Sequence, residues 1–148
     1  MNIKSLLAKP FASVVHRQIK KEQLTAVADQ QSILNQLVKS AKGTQFGKDH
    51  HFDQITDYAS FKKAVPIRDY EGFREYIDQI KKGTQNVLWK GLPLYLAKTS
   101  GTTSGIKYIP ISKESISNHI SGARNAILTY MSGSGNTDFA GGKMIFLS

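Results

Sequence analysis

The stretch Pro93-Leu94-Tyr95-Leu96-Ala97-Lys98-Thr99-Ser100-Gly101-Thr102-Thr103-Ser104-Gly105-Ile106-Lys107-Tyr108-Ile109-Pro110 decides the fold class. Residues 93–98 are short, apolar and bounded by turn formers, which predicts a buried strand. A loop of Ser, Thr and Gly follows, and residues 107–110 predict a second strand. Ser112 is a good N-cap for a helix to about Met131 along Ile116, Ile120, Ala123, Ile127 and Leu128, broken by Gly133-Ser134-Gly135-Asn136. Lys143-Met144-Ile145-Phe146-Leu147-Ser148 then predicts another buried strand. Strand–loop–strand–helix–strand opens an α/β sheet, and a buried strand needs neighbours on its edges. The expectation is the first part of a larger domain, mainly helical over residues 1–86 and α/β over residues 87–148.

Upstream, Ile3, Leu6, Leu7, Phe11, Val14, Val15 and Ile19 follow a helical spacing, with Pro10 expected to kink this helix or start a second piece. Residues 22–41 repeat the pattern through Leu24, Val27, Ala28, Leu34, Leu37, Val38 and Ala41, with Gly43 as a stop. Residues 43–52 read as an ordered loop. Thr56 or Asp57 can cap a short helix that ends before Pro66. Residues 70–82 predict a further helix with Phe73, Tyr76, Ile77 and Ile80 on one side and Gly83 closing it.

Composition narrows the classes. The chain has 148 residues, 40% hydrophobic and 21% charged, which is neither a disordered tail nor a membrane protein. It has no cysteine, which removes a disulfide scaffold, a thiolate zinc site and a Cys nucleophile, and sets an intracellular, cytoplasmic address as the expectation. A net charge of +9 invites a nucleic-acid partner. Residues 1–21, however, hold Lys4, Lys9, Arg17, Lys20 and Lys21 and no acid, leaving 15 basic residues against 11 acidic ones elsewhere. The surplus is local. A basic amphipathic segment can bind an anionic membrane or act as a transit peptide, but more commonly packs on its own domain with lysines in water.

The chemistry-bearing segment is residues 99–107. Five hydroxyl residues and two glycines fall within seven positions, directly after a predicted strand, with Lys107 just beyond. Glycines let backbone N–H groups approach a phosphate and turn inward as an anion nest, while hydroxyls add donors. Such clusters between strands are more often plain turns. A Walker A loop needs four residues between its glycines and Lys directly after the second. Here Thr102, Thr103 and Ser104 separate Gly101 from Gly105, and Ile106 precedes Lys107. P-loop NTPases and kinases therefore fit poorly, and no His, Asp or Glu spacing suggests a metal site. His50 and His51 read as a solvated or structural pair, His119 as partly buried at a helix contact, and Trp89 and Tyr95 as packing residues.

Thr99-Ser100-Gly101-Thr102-Thr103-Ser104-Gly105 resembles the phosphate-binding motif of the adenylate-forming enzymes, and Lys107-Tyr108-Ile109-Pro110 is closer to one branch of them. That branch is the GH3 auxin-responsive family of acyl-acid amido synthetases, and the chain most resembles its bacterial members. Phe46-Gly47-Lys48 with Phe52, Val65-Pro66-Ile67 with Tyr70, and Lys143-Met144-Ile145-Phe146 extend the resemblance over roughly residues 41–148. Plant members commonly carry one more residue between the last glycine and the lysine, with proline before that lysine.

The resemblance implies a fold and a reaction. The helical half would lead into the first strands of the large adenylate-forming domain, acyl-CoA synthetase- or luciferase-like, with the C-terminal lid domain absent from this chain. A carboxylate would attack the α-phosphate of ATP, with Mg²⁺ as the implied metal cofactor, giving an acyl-adenylate and pyrophosphate. An amine, typically an amino acid, would then displace AMP. Ser100, Thr102, Thr103 and Ser104 would bond the β- and γ-phosphates, Gly101 and Gly105 would permit backbone approach, and Lys107 would supply charge. No catalytic acid or base is assigned, no protein metal ligand is expected, and the fragment alone is expected to be inactive. Expected partners are a small carboxylic acid and an amino acid, with no nucleic acid, membrane or obligate protein partner. An acyl-CoA-type ligase and a non-catalytic, basic nucleic-acid-binding module stand as the alternatives.

Overall fold

The computed structural model describes residues 3–100 and 105–138, so the segment predicted as the last strand lies outside the described residues. The order is helix α1 (Ile3–Ala41), α2 (Gln45–Asp49), α3 (Tyr58–Ala64), a 3₁₀ turn (Glu71–Phe73), α4 (Arg74–Lys81), strands β1 (Tyr95–Lys98) and β2 (Tyr108–Ile111), and α5 (Lys113–Ser134). The chain separates into two compact units, one of Met1–Ala26 with Ser117–Ser148 and one of Val27–Ile116. No helix among the described residues is long and apolar enough to cross a membrane.

The two predicted N-terminal helices are one. α1 runs through Pro10 and through residues 20–22 without a break. Pro10 costs one intrahelical bond close to the N-terminus, where Leu6 is exposed and water can reach the freed carbonyl. In the unit containing its N-terminal part, Ala12 is fully buried with Leu128 and Met131, and Ala8 and Val15 pack beside them. Leu6, Leu7, Phe11 and Val14 are each more than half exposed, so the expected packing of this apolar face is only partly made here. α5 continues through Gly133 and Ser134 and stops at Gly135, whose φ of +69° and N–H bond to the Met131 carbonyl at 3.0 Å form a left-handed cap.

The second unit is organised by the corner between α1 and α2. Thr44 is 1% exposed, and its N–H and Oγ1 both donate to the Ala41 carbonyl, at 2.9 and 2.7 Å. The same Oγ1 accepts the Gly47 N–H at 3.0 Å and so caps α2. A Cβ on Gly47 would strike the Ala41 carbonyl oxygen and lie 3.1 Å from Lys42 Cα, so the tight corner admits only glycine there. The stretch expected to be a loop is thus a helical turn, made so by Thr44. The Gln45 and Phe46 N–H groups donate to the Asn86 and Val87 carbonyls, tying α2 to the segment leading into the hairpin.

Val38, Ala41, Phe46 and Phe52 form the first core cluster, with Leu34, Ile55, Phe61, Val65, Phe73, Tyr76, Leu88 and Trp89 packed around it. Phe46 meets Phe52 and Tyr76 edge-on and Phe73 in a stacked pose. Ile77, Ile80 and Val87 form the second cluster, where Tyr70, Leu96 and Tyr108 also pack. Asp57, as anticipated, caps α3, and it forms a reciprocal box with Ser60. The helix ends at Val65, held extended by the following Pro66. α4 closes with Gly83 at φ +88°, its N–H on Ile80 and the Thr84 N–H on Gln79.

β1 and β2 pair antiparallel, Tyr95 opposite Ile111 and Lys98 opposite Tyr108, in a sheet of two strands among the described residues. The expectation of a buried strand at 93–98 is not met there. Leu94 is 52% and Tyr95 64% exposed, because no further strand or helix among the described residues covers their face. Tyr95 is therefore not a packing residue among the described contacts, whereas Trp89 is.

Thr44→Val keeps the shape of the corner but removes the hydroxyl, and should cost about 1–3 kcal/mol by urea titration. Gly47→Ala should cost at least as much, about 1–3 kcal/mol or more from overpacking against backbone. The Ser60 N–H holds the Asp57 carboxyl below its ordinary value of 3.8, so its contribution is present above that value and fades as pH falls through the lowered one. Asp57→Asn, which caps without titrating, should flatten the acid limb of a stability-versus-pH profile.

Candidate functional site

The predicted phosphate loop is the connection between β1 and β2. Its ends are locked together: the Thr99 N–H donates to the Lys107 carbonyl at 3.0 Å, and the Lys107 N–H donates to Thr99 Oγ1 at 3.3 Å. Ser100 is exposed on the entering side. Gly105 is exposed on the leaving side at φ +77°, in the left-handed region that glycine adopts without steric cost. Gly101, Thr102, Thr103 and Ser104 lie outside the described residues. The described part of the site is a stem carrying two loop residues and a lysine.

Four side chains, Lys107, Tyr70, Tyr108 and Lys81, meet at the stem's exit. Lys107 is half-buried, with Nζ 5.8 Å from the centroid of the Tyr70 ring. The Tyr70 hydroxyl accepts the Tyr108 N–H at 2.9 Å. The Tyr108 ring in turn lies beneath Lys81 Nζ, at 4.8 Å. Next to Tyr70, Arg74 forks onto Glu71, its Nε to Oε2 at 2.5 Å and its Nη2 to Oε1 at 2.6 Å. That guanidinium holds the Glu71 carboxyl below its ordinary range, with a smaller pull from the Lys107 ammonium. Composition flagged Lys107; it gave no sign of Lys81, which reaches the stem only through the turn of α4. Tyr70 was visible as a landmark, its contacts were not.

A second polar group is structural. His50 Nδ1 lies 3.0 Å from the Ala64 carbonyl, an acceptor, so Nδ1 carries the proton and Nε2 accepts from Arg68 Nη2 at 3.3 Å. Arg68 also lies over the rings of Phe46 and Phe73. Tyr76 donates to Asp49 at 2.8 Å, and burial followed by this bond pushes its phenol above the ordinary range. The pair His50-His51 thus splits: His50 braces α2 against the end of α3, and His51 is an exposed residue at φ +50°. His119, expected at a helix contact, is exposed on α5.

Among the described residues no group of three or more His, Asp or Glu side chains could hold a metal ion. The hollows in this unit, of about 440 Å³ beside Leu34 and Tyr58 and about 290 Å³ beside His51 and Ile55, contain none of Ser100, Gly105 and Lys107. The described part of the site is the closed stem of a hairpin, with Ser100 and Gly105 exposed on either side.

A helical domain presenting a hydroxyl- and glycine-rich hairpin loop with a lysine at its exit is the class that fold and site define. A profile of the GH3 family N-terminal domain matches residues 15–148, and the chain belongs to the GH3 family. It is similar to the indole-3-acetic acid-amido synthetase GH3.15 of Arabidopsis thaliana, 34% identical over 94 residues that cover 62% of this chain and 16% of that protein. The chain spans a small fraction of that relative's length. No solved structure matches it.

A Cβ at Gly105 would meet nothing within 4 Å, so only backbone conformation opposes a side chain there. Gly105→Ala should therefore cost about 1–2 kcal/mol, the left-handed penalty alone. Gly105→Asn should recover part of it, as read by thermal unfolding.

Proposed function

We propose that this chain is the N-terminal portion of the large ATP-binding domain of an acyl-acid amido synthetase, with residues 99–107 as its phosphate loop. The observation that supports this most is the family match, which runs through the loop. The locked stem and the left-handed Gly105 add to it, since a nest of N–H groups needs a rigid base and a residue free to turn inward.

Adenylation brings a carboxylate against a polyanion, so charge must be offset by donors already in place. Ser100, Thr102, Thr103 and Ser104 donate hydroxyl bonds to the β- and γ-phosphates of ATP, and Gly101 and Gly105 let the backbone come close. Lys107 supplies a mobile positive charge. No general base is required, because an unperturbed carboxyl has a pKa near ~4 and is already ionised at neutral pH. The acid is activated as an acyl-adenylate with loss of pyrophosphate, and an amine, an amino acid in this reading, displaces AMP to form the amide. Mg²⁺ would offset phosphate charge when bound. No cluster among the described residues fits it as ligands, so no step is routed through it.

The charge distribution favours this reading over a nucleic-acid module. More than half of the basic surplus sits in the first 21 residues, while the loop brings one lysine to its exit. The substrates are small molecules, and the reading needs no membrane or obligate protein partner.

The intact protein should catalyse ATP–pyrophosphate exchange with one or more members of a carboxylic-acid panel. Ser100→Ala combined with Thr102→Ala should lower that exchange by about 10²-fold or more while the protein stays folded. Exchange at the unaltered rate in the double variant would remove the loop from the mechanism.

A further inference from the structure

Tyr70 stands between the second core cluster and the exit of the loop, and each part of its side chain has a different task. Its ring packs with Ile77, Ile80 and Val87. Its hydroxyl takes the Tyr108 N–H at 2.9 Å. Strand geometry explains why that N–H is available. Thr99 and Lys107 are joined by a ladder bond, so the adjoining pair, Lys98 and Tyr108, is the one that makes no bond across the hairpin. The Tyr108 N–H therefore points outward from β1, and Tyr70 satisfies it.

The ring face has the second task. Lys107 Nζ sits 5.8 Å from its centroid, which holds the ammonium without neutralising it. The Glu71 carboxyl feels a small pull from Lys107, but both Glu71 oxygens are engaged by Arg74, and Arg74 itself lies 5.9 Å from the Tyr70 ring. The fork keeps Glu71 from capturing the lysine. An ammonium held by a ring can transfer to phosphate at lower cost than one locked in a salt bridge, because no carboxylate is left behind unpaired.

We propose that Tyr70 is a positioning residue for the phosphate loop, fixing the exit strand through Tyr108 and holding Lys107 against its ring, free to turn toward the bound polyphosphate. The inference rests on residues 99–107 being the phosphate loop.

The test uses the intact protein with Tyr70→Phe, which keeps the ring and loses the hydroxyl, and Tyr70→Leu, which loses both. ATP–pyrophosphate exchange gives KM separately for ATP and for the carboxylic acid, and amide hydrogen exchange reads Tyr108. Tyr70→Phe should speed exchange at the Tyr108 amide by about tenfold and raise the KM for ATP about threefold. Tyr70→Leu should raise the KM for ATP about tenfold. The KM for the acid should not move in either. Should Tyr70→Leu fail to fold, Tyr70→Phe carries the test. An ATP KM unmoved in the variants, or both KM values rising together as from general loosening, overturns this inference alone. No exchange by the unaltered protein with any acid overturns the synthetase reading and this inference with it.

Discussion

The hydroxyl of Thr44 is the contact on which the Val27–Ile116 unit depends. It donates to the last carbonyl of α1 and accepts the Gly47 N–H of α2, so one buried atom ends one helix and starts the next. A buried backbone group without a partner is costly, and this corner leaves two such groups satisfied without water. The turn it enforces is tight enough to exclude a Cβ at Gly47. It also aims Phe46 into the aromatic cluster and its N–H at Val87. From there the order passes to Val87, Ile77 and Ile80, and so to Tyr70 and the hairpin.

The hairpin is fixed at its base and exposed on its described flanks. Its base is fastened by one backbone and one side-chain bond between residues 99 and 107 and by the Tyr70 hydroxyl on Tyr108, whereas Ser100, Gly105, Leu94 and Tyr95 are exposed. That arrangement supports the proposed phosphate-loop reading, since a rigid frame lowers the entropy lost on binding. Charge around the stem is arranged in pairs. Arg74 occupies Glu71, and aromatic rings hold Lys81 and Lys107.

Local chemistry was readable where it is self-contained. Asp57 as cap, Val65-Pro66 as a helix end, Gly83 as a closing residue and Ser112 ahead of α5 all follow from side chains bonding their own neighbours. The loop was legible for a different reason, since a dense run of Ser, Thr and Gly before a lysine is rare enough to be noticed alone. Readings that depended on distant partners fared less well. The apolar run at 93–98 predicted burial, yet burial needs a neighbouring element that the described residues do not supply. Residues 20–22 looked like a boundary, but polar residues there are simply a solvated stretch of one continuous helix. His119 and Tyr95 were placed in contacts by spacing and hydrophobicity, and neither property fixes what lies opposite.

The sequence by itself determined the helix-rich first half, two short strands flanking a hydroxyl- and glycine-rich loop, and the GH3 family to which the chain belongs, because each is written in contiguous residues. Tertiary structure alone decided that Thr44 is a pivot, that Gly47 is sterically obligatory, that His50 braces Arg68, and that Tyr70 and Lys81 serve the loop's stem. These contacts join residues as far apart as 38 positions. No local pattern encodes them, because a side chain's partner is chosen by the packing of helices and strands that meet only once the chain has folded.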